Sequence, residues 1–173
     1  TKVQVIDKIK GKELVGKKYL APKIDKEIVV LPAKFCDSSI GSGIVTSVPS
    51  DSPDDYQGLM DLKNSKSDCN SWGIDSKLVN SIKPIPIIDS GEMGNLPAAN
   101  LCDKLGIRNQ TQRKKLEKAK QDLYLYSFNN GVMLDNTGDL AGKTVAEARE
   151  LVKDELLHSG QAQRYYELTS PVK

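Results

Sequence analysis

The stretch GSGIVTSVPSDSPDDYQGLMDLK, residues 41–63, is the most informative part of the sequence and opens with two glycines ahead of an apolar run. Residues 43–48 (GIVTSV) predict a strand, which the following proline ends. Ser52 then predicts the N-cap of a helix, with Pro53 at the first helical position and Asp55 at the third, as in a capping box. The stretch therefore predicts a strand, a loop and a helix in succession.

Three carboxylates, Asp51, Asp54 and Asp55, surround the loop of this corner, next to the free backbone N–H groups of the helix start. Acidic residues are common in a first helical turn because they stabilise the helix dipole by ~0.3–1 kcal/mol. Spacing alone favours this structural explanation and leaves a functional role open.

Short apolar runs upstream alternate with turn residues, as in a small sheet or barrel. Residues 3–6 (VQVI) and 27–31 (EIVVL) predict two of its strands. Downstream, the polar residues 64–80 predict an exposed excursion of short helical or looped character. Residues 83–89 (KPIPIID) predict a strand at a sheet edge or a strand start, because proline lacks the N–H that a central ladder needs.

The rest of the chain predicts mostly helices. Residues 100–105 and 112–126 predict two, the second with apolar residues on one face. Thr144, followed three residues later by a glutamate, predicts the capping box of a last helix, which a later glycine ends. Residues 131–134 (GVML) predict a buried strand, and residues 163–168 predict a strand in the tail.

Composition is typical of one folded globular domain. Hydrophobic residues make up 38% and charged residues 28% of the 173 residues. No apolar run approaches the roughly 18 residues of a membrane-spanning helix, and the first residues lack the apolar core of a secretory signal. We therefore expect a soluble, intracellular domain with no membrane partner.

Three scattered cysteines and one histidine offer little material for a metal or nucleophile site. Cys36, Cys69 and Cys102 form no close pair, so we expect reduced thiols. His158 lies near a predicted helix end, where a solvated surface residue is expected rather than a catalyst. We accordingly expect no metal at the site.

Basic residues are uneven, although the net charge is only +2. Lysines crowd the first 34 residues, and a second cluster lies on the predicted helix 112–126. Each cluster is interpreted as a solvated face, with an RNA contact as the alternative. The helix cluster consists of Arg113, Lys114, Lys115, Lys118 and Lys120.

The motif GSGIVTSVPSDSPDDY, followed by DLK, resembles the core motif of leucyl-tRNA synthetase editing domains of the archaeal and eukaryotic cytosolic type. The similarity continues in residues 12–22 (KELVGKKYLAP), 83–89 and 94–107 (GNLPAANLCDKLGI). The resemblance implies an α/β (mixed α+β) fold, a β-barrel-like editing domain surrounded by helices.

The resemblance also implies a function. A synthetase core cannot fully reject amino acids that differ from leucine by one methyl position, because a methylene is worth only ~1–3 kcal/mol. The family's editing domain hydrolyses the aminoacyl ester of tRNA(Leu) mischarged with norvaline, isoleucine or methionine. The implied partners are the 3′ end of tRNA(Leu), the noncognate aminoacyl-adenosine and the rest of the parent synthetase, in the cytoplasm. Editing itself is expected to need no cofactor, since the parent enzyme uses ATP and Mg in a different domain.

Site residues follow from the motif. By its position, Asp55 is implied to hold the α-ammonium of the substrate, and attack by a positioned water, assisted by a free ribose hydroxyl, fits this chemistry. No side chain is assigned as nucleophile. The stretch implied to line the substrate pocket consists of Thr46, Ser47, Val48, Pro49, Ser50 and Asp51.

One family feature is absent from these 173 residues. Related domains carry a threonine-rich loop, with a pattern like TLRPET, upstream of the core motif. We therefore expect residues 1–173 to form a single but partial editing domain that lacks its N-terminal part, and to hydrolyse mischarged tRNA poorly or not at all as an isolated fragment.

Two other interpretations stay open. The chain could be the editing domain of an isoleucyl- or valyl-tRNA synthetase, in which other residues are expected in place of TSVPSDSPDD. It could also be a noncatalytic module that binds RNA or protein through Lys114, Lys115 and Lys118 of the basic helix.

Overall fold

A computed structural model describes residues 4–21, 26–37, 39–40 and 42–164 as a mixture of helices and short strands. No helix in these ranges is long and apolar enough to cross a membrane. The helices are α1 (Pro53–Asn64), α2 (Lys66–Ser71), α3 (Ser76–Ser81), α4 (Pro97–Lys104), α5 (Arg113–Asn130) and α6 (Val145–His158). The strands are β1 (Lys18–Leu20), β2 (Glu27–Val29), β3 (Ile88–Asp89) and β4 (Val132–Met133).

The core lies where α1, α4 and α5 meet. One cluster joins Cys102 of α4, Ile107 and two residues of α5, Leu116 and Ala119, none of them more than 2% exposed. Tyr56 of α1 packs against this cluster from the helix that carries the predicted site. Removing such apolar side chains from water stabilises the fold by ~25 cal/mol per Å². The packing therefore fixes α1 against α4 and α5.

A second cluster corrects the prediction for residues 64–80. The predicted short helical character is confirmed by α2 and α3, and most residues of the segment are exposed, but Cys69, Ile74 and Val79 are buried at 0%, 4% and 0% exposure. Ser65 and Asp75 cap the two helices with their side chains. Three apolar residues among many polar ones are enough to attach the segment to α1.

The strands are shorter and fewer than predicted. Strands β1 and β2 pair antiparallel with Tyr19 opposite Ile28, and β3 pairs antiparallel with β4. The mixed fold class is confirmed, whereas the strands of the described residues form two separate pairs and close no barrel. The predicted strand 27–31 is confirmed for its first three residues, and 131–134 for its middle two, although Val132 is 38% exposed and the strand is not buried as predicted.

Three other strand predictions fail or cannot be followed. Residues 43–48 form no strand, because no described segment pairs with them. Residues 4–6 are not a strand either, and residue 3 lies outside the described residues. Only the last two residues of 83–89 pair, and residues 165–168 of the predicted tail strand lie outside the described residues.

The helix predictions are confirmed with shifted ends. Helix α4 begins earlier than predicted, at Pro97, and α5 continues to Asn130. The capping box of α6 is complete: the Glu147 N–H donates to Thr144 Oγ1 at 3.2 Å, and the Thr144 N–H donates to Glu147 Oε2 at 2.9 Å. Gly160 follows with a φ of +71°, as expected of a helix stop.

Candidate functional site

The predicted corner forms a tight turn into α1. The carbonyl of Val48 accepts hydrogen bonds from the N–H groups of Asp51 at 3.0 Å and Ser52 at 2.9 Å. Ser52 caps the helix, since its Oγ accepts from the Asp55 N–H at 3.5 Å, and Pro53 occupies the first turn. The predicted helix start is therefore confirmed.

Asp55 does not complete the capping box. Its Oδ2 accepts from the Val48 N–H at 2.7 Å, across the turn. The residue is 6% exposed. Burial raises the pKa of the Asp55 carboxyl, and the hydrogen bonds from the Val48 N–H and the Ser52 side chain only partly offset this effect. The Asp55 carboxylate is therefore buried and fixed across the turn.

Asp54 is held from the opposite direction by α5. Its Oδ1 lies 2.6 Å from Nη1 of Arg113, and its Oδ2 lies 3.9 Å from Nζ of Lys120. The Asp54 carboxylate is buried, whereas the two cations are partly exposed. Neighbouring acids in one turn thus have different surroundings.

Ser50 and Asp51 form the floor of the turn. Both are buried, and the Ser50 Oγ donates to Asp51 Oδ2 in a very short contact. The Ser50 carbonyl accepts from the Ala98 N–H at 3.0 Å, which attaches the turn to α4. Asp51 Oδ1 is buried without a hydrogen-bond partner among the described residues. Burial raises the pKa of this carboxyl, against the lowering effect of Ser50.

The other predicted pocket residues lie at the surface. Thr46 and Ser47 are exposed, Val48 is at the margin of exposure and Pro49 is half-buried. Two surface concavities of the described residues lie elsewhere, one against α6 and one along α5. We call residues 46–51 the shelf: residues 46–48 are exposed beside Asp55, Pro49 is half-buried, and Ser50 and Asp51 are buried.

The basic cluster of α5 is largely engaged within the domain. Arg113 and Lys120 contact Asp54. Lys115 donates to the Leu105 carbonyl at 2.9 Å, and Lys118 pairs with Asp122 at 3.0 Å. The sequence interpretation missed these roles, although a separation of seven residues signals that Arg113 and Lys120 share one face of the helix.

A polar network that the sequence interpretation also missed supports the far side of α1. Asp61 Oδ2 accepts from the Gln110 N–H at 2.9 Å and from its Nε2 at 3.1 Å. Gln110 Oε1 in turn accepts from the Lys34 N–H at 2.9 Å. Phe35 then packs so closely that a Cβ on Gly58 would lie 3.3 Å from its ring. The network fixes residues 34–35 beside the site.

The cysteines and the histidine lie as predicted. Cys36 is exposed, Cys69 and Cys102 are buried, and all three are free thiols. His158 is exposed at the end of α6, where its ring Nδ1 contacts the Asp154 carbonyl. Within the described ranges, no three His, Cys, Asp or Glu side chains converge on a possible metal position.

Sequence relatives of the chain are leucine–tRNA ligases. The chain is 34% identical to the ligase of Archaeoglobus fulgidus over 97% of its own length and 18% of that protein. It is 37% identical to the cytoplasmic ligase of Pongo abelii and 40% identical to that of Dictyostelium discoideum, each over 95% of the chain. These alignments span 14% and 16% of the two proteins. No protein-family model matches the chain.

Solved structures point to one domain of these ligases. The crystal structure of GlLeuRS-CP1 matches 92% of this chain and 61% of its own, with a TM-score of 0.80 and 32% identity. The editing domain of the cytosolic leucyl-tRNA synthetase of P. knowlesi matches 92% of this chain and 52% of its own, with a TM-score of 0.83 and 25% identity. Sequence and structure agree that the chain belongs to the family of leucyl-tRNA synthetase editing domains.

Proposed function

We propose that this domain hydrolyses the aminoacyl ester of tRNA(Leu) that carries a noncognate amino acid such as norvaline, isoleucine or methionine. The observation that carries the proposal is the place of Asp55, whose Oδ2 is fixed by the Val48 N–H next to the exposed residues 46–48. A carboxylate in this state can accept a charge-assisted hydrogen bond from an α-ammonium group. The family relationship supplies the substrate class.

The proposed reaction needs a positioned water and no covalent intermediate. The oxygen of the water attacks the ester carbonyl carbon, and the bond between that carbon and the ribose oxygen breaks. One proton of the water passes to the departing ribose oxygen, with the neighbouring ribose hydroxyl as its carrier. Asp55 contributes by orienting the ester, because a fixed ammonium group converts a random encounter into a defined approach. The proposal assigns no metal or cofactor to this step.

The shelf of residues 46–51 is proposed to bind the terminal adenosine. Thr46 and Ser47 expose hydroxyl and backbone groups, while Ser50 and Asp51 hold the turn from below. We propose a cytoplasmic location as well, as the names of the two eukaryotic relatives state for those proteins.

The test is a deacylation assay in a full-length leucine–tRNA ligase that carries this segment. We expect it to clear norvalyl-tRNA(Leu) and isoleucyl-tRNA(Leu) and to leave valyl-tRNA(Ile) intact. Asp55→Ala should abolish most of this clearance while leucylation of tRNA(Leu) continues. The matched control is Asp139→Ala, which removes an exposed aspartate outside the site. Equal deacylation by Asp55→Ala and the unaltered protein, with an unchanged circular dichroism spectrum, would overturn the proposal.

A further inference from the structure

Asp54 is the most deeply buried of the three corner aspartates, at 3% exposure, and two cations from another helix hold it. An acid can stabilise a helix dipole from an exposed position, without a partner of its own. Burying a carboxylate is costly unless it is paired. Its burial with two partners therefore indicates a role beyond the dipole.

Arg113 and Lys120 each contact a different carboxylate oxygen of Asp54. The two cations lie seven residues apart on α5, about two helical turns, and so face the same side. Nη1 of Arg113 lies 2.6 Å from Oδ1 and Nζ of Lys120 lies 3.9 Å from Oδ2. Two contacts on one planar group restrict its rotation better than one contact does.

Asp54, which these two cations contact, lies one residue before Asp55 in the first turn of α1. Three contacts fix the residues around that turn. Arg113 of α5 pairs with Asp54, and the Ala98 N–H of α4 donates to the Ser50 carbonyl. The Val48 N–H donates to the Asp55 carboxylate. Without the ion pairs between Asp54 and α5, the start of α1 can shift relative to the shelf. The direction of Asp55 Oδ1 would change with it.

We infer that Asp54, through its ion pairs with Arg113 and Lys120, is a positioning residue that orients the Asp55 carboxylate toward the α-ammonium of the substrate. This inference rests on the proposed editing function. It assigns the two α5 cations to the site rather than to the solvent or to RNA. Lys120 also acts on Asp55 directly, since its charge is among the influences that lower the pKa of the Asp55 carboxyl against the effect of burial.

Three variants of a full-length leucine–tRNA ligase that carries this segment test the inference. Arg113→Met breaks the shorter contact, and Arg113→Lys keeps a positive charge there. The control is Arg108→Met, which breaks an ion pair of similar length, 2.7 Å to Asp103, whose two side chains are exposed. Steady-state deacylation of norvalyl-tRNA(Leu) gives kcat and KM separately, and leucylation monitors the rest of the enzyme.

We expect Arg113→Met to lower kcat/KM for deacylation by about tenfold or more, chiefly through KM, since a misdirected carboxylate loses ground-state contact with the ammonium group. Arg113→Lys should recover most of that loss, and Arg108→Met should match the unaltered enzyme. If Arg113→Met does not fold, Lys120→Met replaces it, with an expected loss of about threefold because its contact is longer.

The possible results distinguish failure of the inference from failure of the proposed function. Unchanged deacylation in folded Arg113→Met overturns the inference and leaves the proposed function intact. A loss in Arg113→Met that Arg113→Lys does not reduce, or an equal loss in Arg108→Met, also overturns it, because general destabilisation then explains the effect. An unaltered enzyme without deacylation defeats the proposed function itself, and the inference with it.

Discussion

Replacing Asp55 with asparagine separates the structural and the chemical work of one carboxylate. The side-chain oxygen of the introduced asparagine can still accept from the Val48 N–H, which lies 2.7 Å from Asp55 Oδ2, so the turn into α1 keeps its tether. The negative charge is lost. Asp55→Ala loses both the tether and the charge, which makes it the natural comparison.

The expected magnitudes follow from these contacts. A hydrogen bond to a charged group contributes ~1.5–3 kcal/mol and a neutral one ~0.5–1.5 kcal/mol, so the loss of charge costs ~1–2 kcal/mol, or roughly 5–30-fold in kcat/KM. Stability should change differently. Asp55→Ala loses the hydrogen bond from the Val48 N–H, whereas Asp55→Asn retains its neutral form, worth ~0.5–1.5 kcal/mol.

The pH dependence gives a further signature of Asp55→Asn. Because burial raises the pKa of Asp55, ionisation of this group opposes folding. The free energy of unfolding therefore falls as the pH rises from the ordinary aspartate pKa through the raised value, and this penalty persists at neutral pH. Asp55→Asn should thus be at least as stable as the unaltered protein at pH 7, and the advantage should vanish in acid, below the ordinary aspartate pKa.

Two measurements decide this prediction. Thermal unfolding between acid and neutral pH ranks the three proteins, and deacylation of norvalyl-tRNA(Leu) by the corresponding full-length enzymes ranks their activities. We expect Asp55→Asn to combine the highest stability at pH 7 with impaired deacylation. An asparagine variant that is less stable than Asp55→Ala, or one that retains full activity, would refute the reasoning.

Further predictions concern the close packing at Gly131, the buried carboxyl of Asp51 and the N-terminal cap of α6. Gly131→Ala should lower the Tm by about 3–10 °C relative to the Gly11→Ala control, because its Cβ would lie 2.5 Å from the Ser127 carbonyl oxygen, whereas nothing lies within 4 Å of a Cβ at Gly11. Asp51→Asn should raise the Tm at neutral pH and not in acid, because burial raises the pKa of this carboxyl and so penalises its ionised form. Thr144→Ala should cost about 1 kcal/mol in chemical denaturation, through the loss of the α6 cap.

Local chemistry explains why the helix starts could be predicted from the sequence. Ser52 and Thr144 cap their helices through hydrogen bonds to residues three positions away, so a few neighbouring letters contain the whole interaction. Gly160 stops α6 for the same kind of reason, since its positive φ is easiest for glycine.

Interactions between distant residues explain the failures. A strand at residues 43–48 needs a partner, and the described chain pairs none with it. The ion pair between Asp54 and Arg113 joins residues that lie 59 positions apart, so no local sequence pattern reveals it. The burial of Cys69 and Val79 likewise depends on the face that α1 offers them. The sequence therefore predicts where elements begin better than it predicts what they contact.

A cycle of two proteins and two substrates tests most directly whether Asp55 holds the α-ammonium group. The unaltered full-length enzyme and its Asp55→Asn variant are each given norvalyl-tRNA(Leu) and the analogue in which a hydroxyl replaces the ammonium. We expect the unaltered enzyme to prefer the ammonium substrate, in kcat/KM, at least about fivefold more strongly than Asp55→Asn does. The same preference in both proteins would contradict the contact, because the two changes would then act independently.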